Sequence, residues 1–391
     1  MNIPQGYKQT ELGVIPEDWD VICIGDLGRI VGGGTPSTND SRYWDGGIPW
    51  FTPSEIGKSK YASCSCRTIS NKGLQASSAN LLPKGTILLS TRASIGDSAI
   101  LLRNATTNQG FQSIIVNSVF SNEFVYYLLK HNVGTMLSLA SGSTFLEISK
   151  KKLSAINIVV PQSFAEQQAI AEALSDIDAL IAALDKKIAK KRLIKQGAMQ
   201  QLLTGKKRLA DFSEKWVSKK LGDISHIKTG KRNGDEQVKN GKYPFFVRSN
   251  IVARIDSYSF DGEAILVPGE GGIGAIFHYV NGKFDYHQRV YKISDFANVI
   301  YGKYVYYYMQ RYFGEYAHSL SVKATVDSLR LPTFEKFNIV LPNNLEEQQA
   351  IATILSDMDK EIADLETRRD KYKLIKSGMM QKLLTGQIRL K

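Results

Sequence analysis

Cysteine is scarce in this sequence, and the few cysteines present are not spaced for a structural role. The 391 residues include only three, Cys23, Cys64 and Cys66. Three thiols do not build the disulfide framework of a small secreted protein. The Cys64-x-Cys66 pair has no second cysteine or histidine pair near it, so we expect free thiols rather than a metal site.

Long apolar runs are also missing. No stretch approaches the roughly 20 apolar residues that a membrane-spanning helix needs. The N-terminal sequence MNIPQGYKQTELGVIPEDWD lacks the basic and then apolar pattern of a signal peptide. We therefore expect a cytoplasmic protein without a membrane partner. The chain is too long for one ordinary core, so two or more domains are expected.

Motifs that carry catalysis are absent as well. No two prolines are adjacent, which excludes the Asn/Asp-Pro-Pro-aromatic loop of amino-methyltransferases in that form. The five histidines show no H-E-x-x-H pattern or close ligand spacing, and no nucleophile is patterned with a base. The sequence therefore predicts a binding protein rather than an enzyme, without a metal or cofactor of its own.

Positive charge, by contrast, is in excess. The formal net charge is +12 and the sequence pI is about 9.3. The excess is distributed along the chain rather than concentrated in one basic tail. Such a balance indicates a polyanionic partner, and ordinary solvated surface charge is the alternative.

An internal duplication sets the architecture. Residues 158–209 align without a gap with residues 339–390, and 29 of the 52 aligned pairs are identical. A fainter repeat precedes each copy, in which IPWF at 48–51 matches YPFF at 243–246. Each half of the chain therefore holds a divergent unit followed by a well-kept unit.

The well-kept units are predicted to be helices. Ser163-x-x-Glu166 and Asn344-x-x-Glu347 are capping signals, and a glycine after Leu-Leu-Thr, at 205 and 386, is a stop signal. Between these signals the apolar residues step by three and four: Leu174, Ile177, Ile181, Leu184 and Ile188, then Leu355, Met358, Ile362 and Leu365. This heptad spacing predicts two helices packed as an antiparallel coiled coil. The alternative is that each helix packs on its own domain.

The divergent units are predicted to be α+β domains. Strand-like runs occur at 86–90, 113–116, 264–267 and 275–280, and short helices are expected near 123–130 and 304–312. Tyr126-Tyr127 is aligned with Tyr307-Tyr308. Trp50 and Phe245 are predicted to be core residues rather than base-stacking ones.

One glycine-rich stretch, GEGGIG at 269–274, fits the spacing of a dinucleotide-binding loop. The helix that such a loop opens is replaced by the strand-like run that follows and by an Asn-Gly turn at 281–282. Of the three glycines that fit this spacing, Gly269 and Gly271 correspond to Thr91 and Ala93 in the first half, and only Gly274 has a glycine partner, Gly96. We interpret the stretch as a turn where the backbone bends or approaches a ligand closely.

Basic residues interleave with aromatic and amide residues in both divergent units. Lysine and arginine neutralise phosphates, while arginine, asparagine and glutamine read base edges in the major groove. The recurrence of this pattern in two units on paired helices suits a ligand with two separated sites, which duplex DNA offers.

Several stretches occur together in one known family. They are the opening GYKQTELGVIPEDWDV, the GGGTPS and IPW stretches, and the duplicated P-x-x-x-x-E-Q-Q-x-I-A…LIK…LLTG…R-L block. On these residues the sequence resembles the specificity subunits of type I DNA restriction-modification systems, and the resemblance covers essentially the whole chain.

The resemblance implies two target recognition domains, at 1–160 and 211–341, and two conserved helices of the coiled coil, at 161–210 and 342–391, as a pseudo-two-fold repeat. Each domain would read one half of a bipartite site in double-stranded DNA. The helices would set the spacer and dock two methyltransferase subunits, which carry S-adenosylmethionine and methylate an adenine in each half-site. ATP-driven restriction subunits would join the larger complex, and this chain would be non-catalytic.

Candidate site residues are chosen by type and position. The candidate DNA-contacting residues are Lys58, Lys60, Arg67, Arg92 and Gln109 in the first domain and Lys231, Arg232, Arg248, His287, Gln288 and Arg289 in the second. The candidate partner-binding residues are Gln167, Gln168, Gln348 and Gln349, for which capping and packing are equal alternatives.

Two other functions stay open at this point. One is a coiled-coil interaction protein that binds no DNA. The other is a nucleotide-dependent enzyme that uses the glycine loop. Salt-sensitive DNA binding and association with a methyltransferase distinguish the specificity function from the first, and dinucleotide binding by the isolated protein identifies the second.

Overall fold

The structure, a computed structural model, describes residues 3–142, 146–320 and 328–390. The chain divides into two compact units. The first combines residues 1–183 with 368–391, and the second comprises residues 184–367. Each unit therefore contains one divergent region together with parts of both long helices.

The first unit contains twelve strands within its described residues: β1 (Tyr7–Thr10), β2 (Gly13–Pro16), β3 (Trp19–Cys23), β4 (Gly28–Gly32), β5 (Trp44–Phe51), β6 (Tyr61–Ala62), β7 (Arg67–Ile69), β8 (Ile87–Leu89), β9 (Ser98–Leu101), β10 (Thr106–Thr107), β11 (Gln112–Val116) and β12 (Asn157–Pro161). Its helices are α1 (Asn71–Gln75), α2 (Asn122–His131), α3 (Val133–Leu139), α4 (Lys150–Ser154) and the first part of α5 (Phe164–Leu202). Short 3-10 turns lie at Ile24–Leu27, Ser41–Tyr43 and Pro53–Glu55.

The second unit contains β13 (Trp216–Lys220), β14 (His226–Thr229), β15 (Tyr243–Phe246), β16 (Ala253–Ile255), β17 (Phe260–Pro268), β18 (His278–Tyr286), β19 (Val290–Ser294) and β20 (Asn338–Pro342). Its helices are α6 (Leu221–Ile224), α7 (Gly302–Leu320), α8 (Leu331–Glu335) and most of α9 (Leu345–Leu383), with a 3-10 turn at Gly234–Glu236. The helix α7 extends well beyond the predicted 304–312.

Each unit is built around one mixed sheet. The strand order is β4-β11-β8-β9-β6 in the first unit and β14-β19-β17-β18-β15-β16 in the second. Successive residues of the central strands face different core clusters, so Ile265 and Val267 pack on one side and Ala264 and Leu266 on the other. This period of two explains why these strands are apolar throughout, since both faces of the sheet are covered.

The two units repeat a distinctive parallel pairing, which lies in a separate three-stranded sheet (β10-β5-β7) in the first unit and in the six-stranded sheet in the second. In β5, Trp50 lies beside Thr106 of β10, and in β15, Phe245 lies beside Asp285 of β18. The matched positions confirm that the IPWF and YPFF stretches are equivalent. Trp50 and Phe245 are both buried, as the sequence predicts.

The long helices begin and end at the predicted signals. The Ser163 hydroxyl accepts a hydrogen bond from the Glu166 amide, and the Asn344 side chain accepts from the Glu347 amide. Gly205 and Gly386 adopt positive φ values of 69° and 72° after the last turn, a conformation that glycine adopts without strain.

Both long helices also contribute to the domain cores. In the first unit, Ile170 and Leu174 near the start of α5 pack in the same cluster as Leu383 at the end of α9. In the second unit, Ile351 near the start of α9 and Leu202 at the end of α5 share a cluster. Within each unit, the start of one helix and the end of the other therefore lie against one core.

The glycine stretch at 269–274 forms the connection of the β17–β18 hairpin. Gly274 (φ 66°) lies so close to α7 that a Cβ atom there would be 2.5 Å from the Gly314 Cα atom. The glycine is needed because two backbones meet.

The predicted Asn-Gly turn at 281–282 is wrong. Residues 281 and 282 lie within β18, where they pair with Glu263 and Gly262 of β17. Gly262 and Gly282 face each other with φ values of 147° and 138°. The chain reverses at 269–277 instead, because the long antiparallel pairing outweighs the local turn preference.

Within the residues that the structure describes, no helix is both long enough and apolar enough to cross a membrane.

Candidate nucleic-acid interface and helix scaffold

In the first unit, three backbone segments are held together by hydrogen bonds at one edge of the sheet. The Thr91 amide donates to the Gly110 carbonyl at 2.9 Å, and the Ile148 amide donates to the Thr91 carbonyl at 3.0 Å. In the second unit, the Gly269 amide donates to the Arg289 carbonyl at 2.8 Å, and the Leu329 amide donates to the Gly269 carbonyl at 2.7 Å. The two sets of bonds match one to one.

A fourth segment, following β4 or β14, crosses the same place. A Cβ atom on Gly33 would lie 2.0 Å from the Asn108 carbonyl oxygen, and one on Gly230 would lie 2.0 Å from the Tyr286 carbonyl oxygen. Glycine is therefore required at this crossing in both units. We call the assembled segments the loop cluster: 33–37, 91–96, 108–110 and 146–148 in the first unit, and 230–234, 269–275, 287–289 and 328–330 in the second.

Two tryptophans hold the GGGTPS segment of the first unit. The Trp50 indole donates to the Gly34 carbonyl at 2.8 Å, and the Trp44 indole donates to the Ser37 carbonyl at 3.0 Å. The Arg67 guanidinium lies 3.5 Å from the centre of the Trp44 ring. Arg67 is exposed, and this stacking presents its guanidinium in a defined orientation beside the loop cluster.

Each loop cluster carries an exposed glutamine at the same position. The Gln109 side-chain oxygen accepts a hydrogen bond from the Thr35 hydroxyl at 2.6 Å, and the Gln288 side-chain nitrogen donates to the Asn233 side chain at 2.5 Å. The carboxamide is therefore oriented by the crossing segment in both units. A fixed amide that faces solvent is suited to reading an adenine edge.

The second loop cluster also contains a charged group, Glu270, that was not among the residues predicted from the sequence. The Glu270 carboxylate lies 3.3 Å from one guanidinium nitrogen of Arg248 and 3.3 Å from one of Arg289. The two arginine side chains stay 50% and 60% exposed. A depression of about 470 Å³ next to them is lined by Gln288, Glu270 and Arg289 among others.

His287 lies beneath this surface rather than on it. Its ring is largely buried, and its Nδ1 atom accepts a hydrogen bond from the Arg289 amide at 2.9 Å. Burial lowers the pKa of His287, and the nearby positive charges of Arg248 and Arg289 lower it further. The neutral ring therefore orients the Arg289 backbone.

The remaining predicted DNA contacts divide into two groups. Lys58, Arg92 and Lys231 have exposed side chains, and Arg92 occupies the loop-cluster position that Glu270 occupies in the second unit.

Lys60 and Arg232, by contrast, are engaged in ion pairs and hydrogen bonds with other residues of their own unit. Lys60 pairs with Glu123 and donates to Ser175 at 2.6 Å. Arg232 donates to Asp285, Glu236 and Ser257 at 3.2, 2.8 and 2.9 Å. Because their donors already have partners, these two residues contribute to packing and are not part of the interface proposed below.

Two of the predicted partner-binding residues are buried. The Gln167 side chain accepts from the Ser121 amide at 2.8 Å and donates to the Pro161 carbonyl at 3.0 Å. Gln348 repeats this, accepting from the Tyr301 amide and donating to the Pro342 carbonyl, both at 2.9 Å. These two glutamines take the packing role, because each connects the helix start to its domain. Gln168 and Gln349 are exposed.

An ion pair with a buried carboxylate occurs at the start of each long helix: the Glu166 and Glu347 side chains are 3% and 0% exposed, while those of Arg389 and Arg208 are 16% and 30% exposed. In the first unit, Arg389 donates two hydrogen bonds to Glu166, at 2.5 and 2.7 Å. In the second unit, Arg208 donates two to Glu347, at 2.8 and 2.9 Å. Both residues of each pair belong to the duplicated block, which is the signal that sequence reasoning overlooked.

A second duplicated contact joins the divergent region of each unit to both long helices. In the first unit, Asp178 accepts from the Tyr127 hydroxyl at 2.8 Å and pairs with Lys376 at 2.6 Å. In the second unit, Asp359 accepts from Tyr307 at 2.8 Å and pairs with Lys195 at 2.5 Å. Burial and the adjacent carboxylate raise the pKa of both tyrosines.

These contacts correct the predicted alignment of the tyrosines by one residue. Tyr127 corresponds to Tyr307 and not to Tyr308, because only that pairing presents each hydroxyl to the matched aspartate. The contacts also show the relative direction of the two helices within each unit. Residues later in the α5 segment contact residues earlier in the α9 segment. The predicted antiparallel packing is thereby confirmed.

The family described as "Type I restriction modification DNA specificity domain" matches residues 16–191 and 213–374. The chain is 34% identical over 283 residues to the type I restriction enzyme MjaIX specificity subunit of Methanocaldococcus jannaschii, covering 66% of this chain and 65% of that one. It is 24% identical to the MjaVIII specificity subunit of the same organism, over 99% and 97% of the two chains.

The fold is also similar to a solved structure. A crystal structure of the type I restriction-modification system S subunit from M. genitalium superposes with a TM-score of 0.67 at 17% identity, over 98% of both chains. At that identity, the likeness concerns the fold.

Proposed function

The chain belongs to the family of type I restriction-modification DNA specificity proteins, which are non-catalytic, and from this premise we propose that it reads a bipartite DNA site for a methyltransferase. Each recognition domain would read one half-site through its loop cluster. The observation that carries this proposal is the matched pair of loop clusters, which share backbone hydrogen bonds but display different exposed side chains.

A constant framework with variable side chains suits two related readers of different sequences. Exposed lysines and arginines such as Lys58 and Lys231 would contact phosphates and fix the register on the duplex. The fixed amides and guanidinium groups of the loop clusters would contact base edges. The net charge of +12 supports a contribution of phosphate contacts to DNA binding.

The helix scaffold would dock two methyltransferase subunits. The duplicated Leu-Ile-Lys sequence leaves the same apolar residues on the surface of both helices: Leu193 is 69% exposed and Leu374 is 76% exposed. Two equal surfaces suit two copies of one partner. The partner would supply S-adenosylmethionine and the methyl-transfer site, and restriction subunits would join the same cytoplasmic complex.

The test of DNA specificity is co-expression with a type I methyltransferase subunit from the same organism, in a host without other adenine methylation. Single-molecule sequencing of the host DNA should find methylated adenines in one two-part motif. A stable complex that leaves the DNA unmethylated and binds no duplex would instead support an interaction protein.

The docking surface is tested in the same system. The double substitution Leu193→Asp and Leu374→Asp should abolish co-purification of the methyltransferase while leaving the circular dichroism unchanged, because both side chains face solvent. Val119→Asp is the control, since Val119 is 64% exposed but lies outside the helices. Co-purification of the double variant at the wild-type level would contradict docking at this surface.

A further inference from the structure

We propose that Arg289 and Glu270 together read one G·C base pair in the half-site of the second domain, and that position 270, with its counterpart Arg92, is where the two domains acquire different base preferences. This inference rests on the proposed function, because it assigns bases to residues of the same interface.

The equivalence of the two positions is geometric. Arg92 and Glu270 each follow a residue whose amide and carbonyl make the matched backbone bonds, Thr91 in the first unit and Gly269 in the second. The next residues, Ala93 and Gly271, have similar left-handed φ values of 64° and 73°. The backbone therefore directs both side chains from the same point of the loop cluster.

The side chains at these matched points differ in charge. The first unit has Arg92 where the second has Glu270, and Gly110 where the second has Arg289. The first domain therefore has one arginine at these two positions, whereas the second has a glutamate and an arginine. At their shared position, both domains carry a glutamine, Gln109 and Gln288. We infer that the two glutamines make the same kind of base contact in both half-sites. The charged residues make the contacts that differ between the half-sites.

The pair in the second unit has the chemistry of a G·C pair. Arginine donates two hydrogen bonds to the O6 and N7 atoms of guanine, and glutamate accepts from the N4 amino group of cytosine. Glu270 approaches one guanidinium nitrogen of Arg289, Nη1, at 3.3 Å. The arginine therefore retains further donors, and its side chain is 60% exposed.

Glu270 also limits binding that is independent of sequence. Its carboxylate lies between Arg248 and Arg289, so it opposes the attraction of both guanidinium groups to phosphate. The same carboxylate disfavours a thymine at the cytosine position, because thymine presents an acceptor, O4, where cytosine presents a donor. His287, which accepts from the Arg289 amide, positions the reading residue without contacting the base.

The experiment uses the complete complex with its methyltransferase partner and the motif found for the wild type. Methylation rates are measured on duplexes in which each base pair of the two half-sites is replaced in turn. For the wild type, replacing one G·C pair of one half-site should lower the rate by roughly 5-fold to 150-fold, the range of a bidentate base contact.

The variants Arg289→Gln and Glu270→Gln should each reduce that discrimination to within about 3-fold, at this base pair and in this half-site only. Arg92→Gln should relax one position of the other half-site. Lys231→Gln is the matched control: it removes one exposed positive charge from the same unit and should weaken binding equally for all sequences. Co-purification with the partner and an unchanged melting temperature verify that each variant is folded.

The outcomes distinguish a failure of the base assignment from a failure of the proposed function. A half-site without a G·C pair, or full discrimination retained in both Arg289→Gln and Glu270→Gln, overturns the base assignment while the bipartite motif stands. A wild-type complex that methylates no bipartite motif overturns the proposed function and the assignment with it.

Discussion

The ion pair between Arg208 and the buried carboxylate of Glu347 leads to a prediction whose magnitude follows from the structure. The Glu347 side chain is fully buried, and both of its oxygens accept hydrogen bonds from Arg208. The substitution Arg208→Met keeps much of the aliphatic side chain but removes the guanidinium. The carboxylate is then left in the protein interior without its counter-charge.

The expected cost is large because the partner charge cannot reach water. Breaking a buried ion pair on one side destabilises a protein by about 3 to 5 kcal/mol. Whole domains are stable by only about 5 to 15 kcal/mol. For a unit of this size, each kcal/mol lowers the melting temperature by about 2 to 4 °C, so Arg208→Met should lower it by roughly 6 to 20 °C.

The assay is thermal unfolding followed by circular dichroism and calorimetry, with the wild type and each variant at one protein concentration. Lys191→Met is the control. It removes a charge from the ion pair between Lys191 of α5 and Glu361 of α9 in the same unit, whose members are 33% and 45% exposed, and such pairs contribute at most about 1 kcal/mol. Its melting temperature should therefore fall by only a few degrees.

A double substitution separates the charge from the packing. In Arg208→Met with Glu347→Gln, no buried charge is left unpaired, so much of the stability lost in Arg208→Met should return. The reasoning is refuted if Arg208→Met and Lys191→Met melt at the same temperature, or if the double variant is no more stable than Arg208→Met.

Two further predictions concern the second recognition domain. Gly274→Ala should lower the free energy of unfolding by about 2 kcal/mol or more, because its Cβ atom would meet the Gly314 backbone. Gly271→Ala, whose Cβ atom would face open space, should lower it by about 1 kcal/mol. Equal denaturation midpoints for the two variants would contradict this. Since the folded-state pKa of His287 is lowered, its contribution to stability is present above about pH 6.5 and is lost as the pH falls towards the folded-state pKa. His287→Asn, which introduces the residue found at the matching position Asn108, should therefore flatten the pH dependence of unfolding between pH 7.5 and 5.5, and an unchanged slope would count against it.

Local signals predicted the long helices well. The signals are the caps, the glycine stops and the apolar spacing. Each of them is formed by residues that lie only a few positions apart in the sequence. The same kind of local reasoning failed at 281–282, where an Asn-Gly pair lies within a strand. There the decisive interaction is pairing with Gly262 and Glu263, which local sequence preference does not contain.

The candidate interface shows the same division. Residue type predicted which side chains are able to contact DNA, but not where their charged ends lie. Lys60 and Arg232 have the right chemistry, and both are engaged by partners distant in sequence. Glu270 was not among the predicted residues because the candidates were chosen among basic and amide side chains. Its alignment with Arg92 in the repeat was the available signal.

The sequence by itself determined the duplication, the helical character of the repeated block, the absence of catalytic motifs and the family. These properties depend on residue identity and short spacing, which a single chain displays directly. The tertiary structure alone decided that Glu166 pairs with Arg389 and Glu347 with Arg208, and that segments from four parts of each half form one loop cluster. Such contacts join residues separated by tens to hundreds of positions, and their partners are selected by how the core packs and which charges it buries.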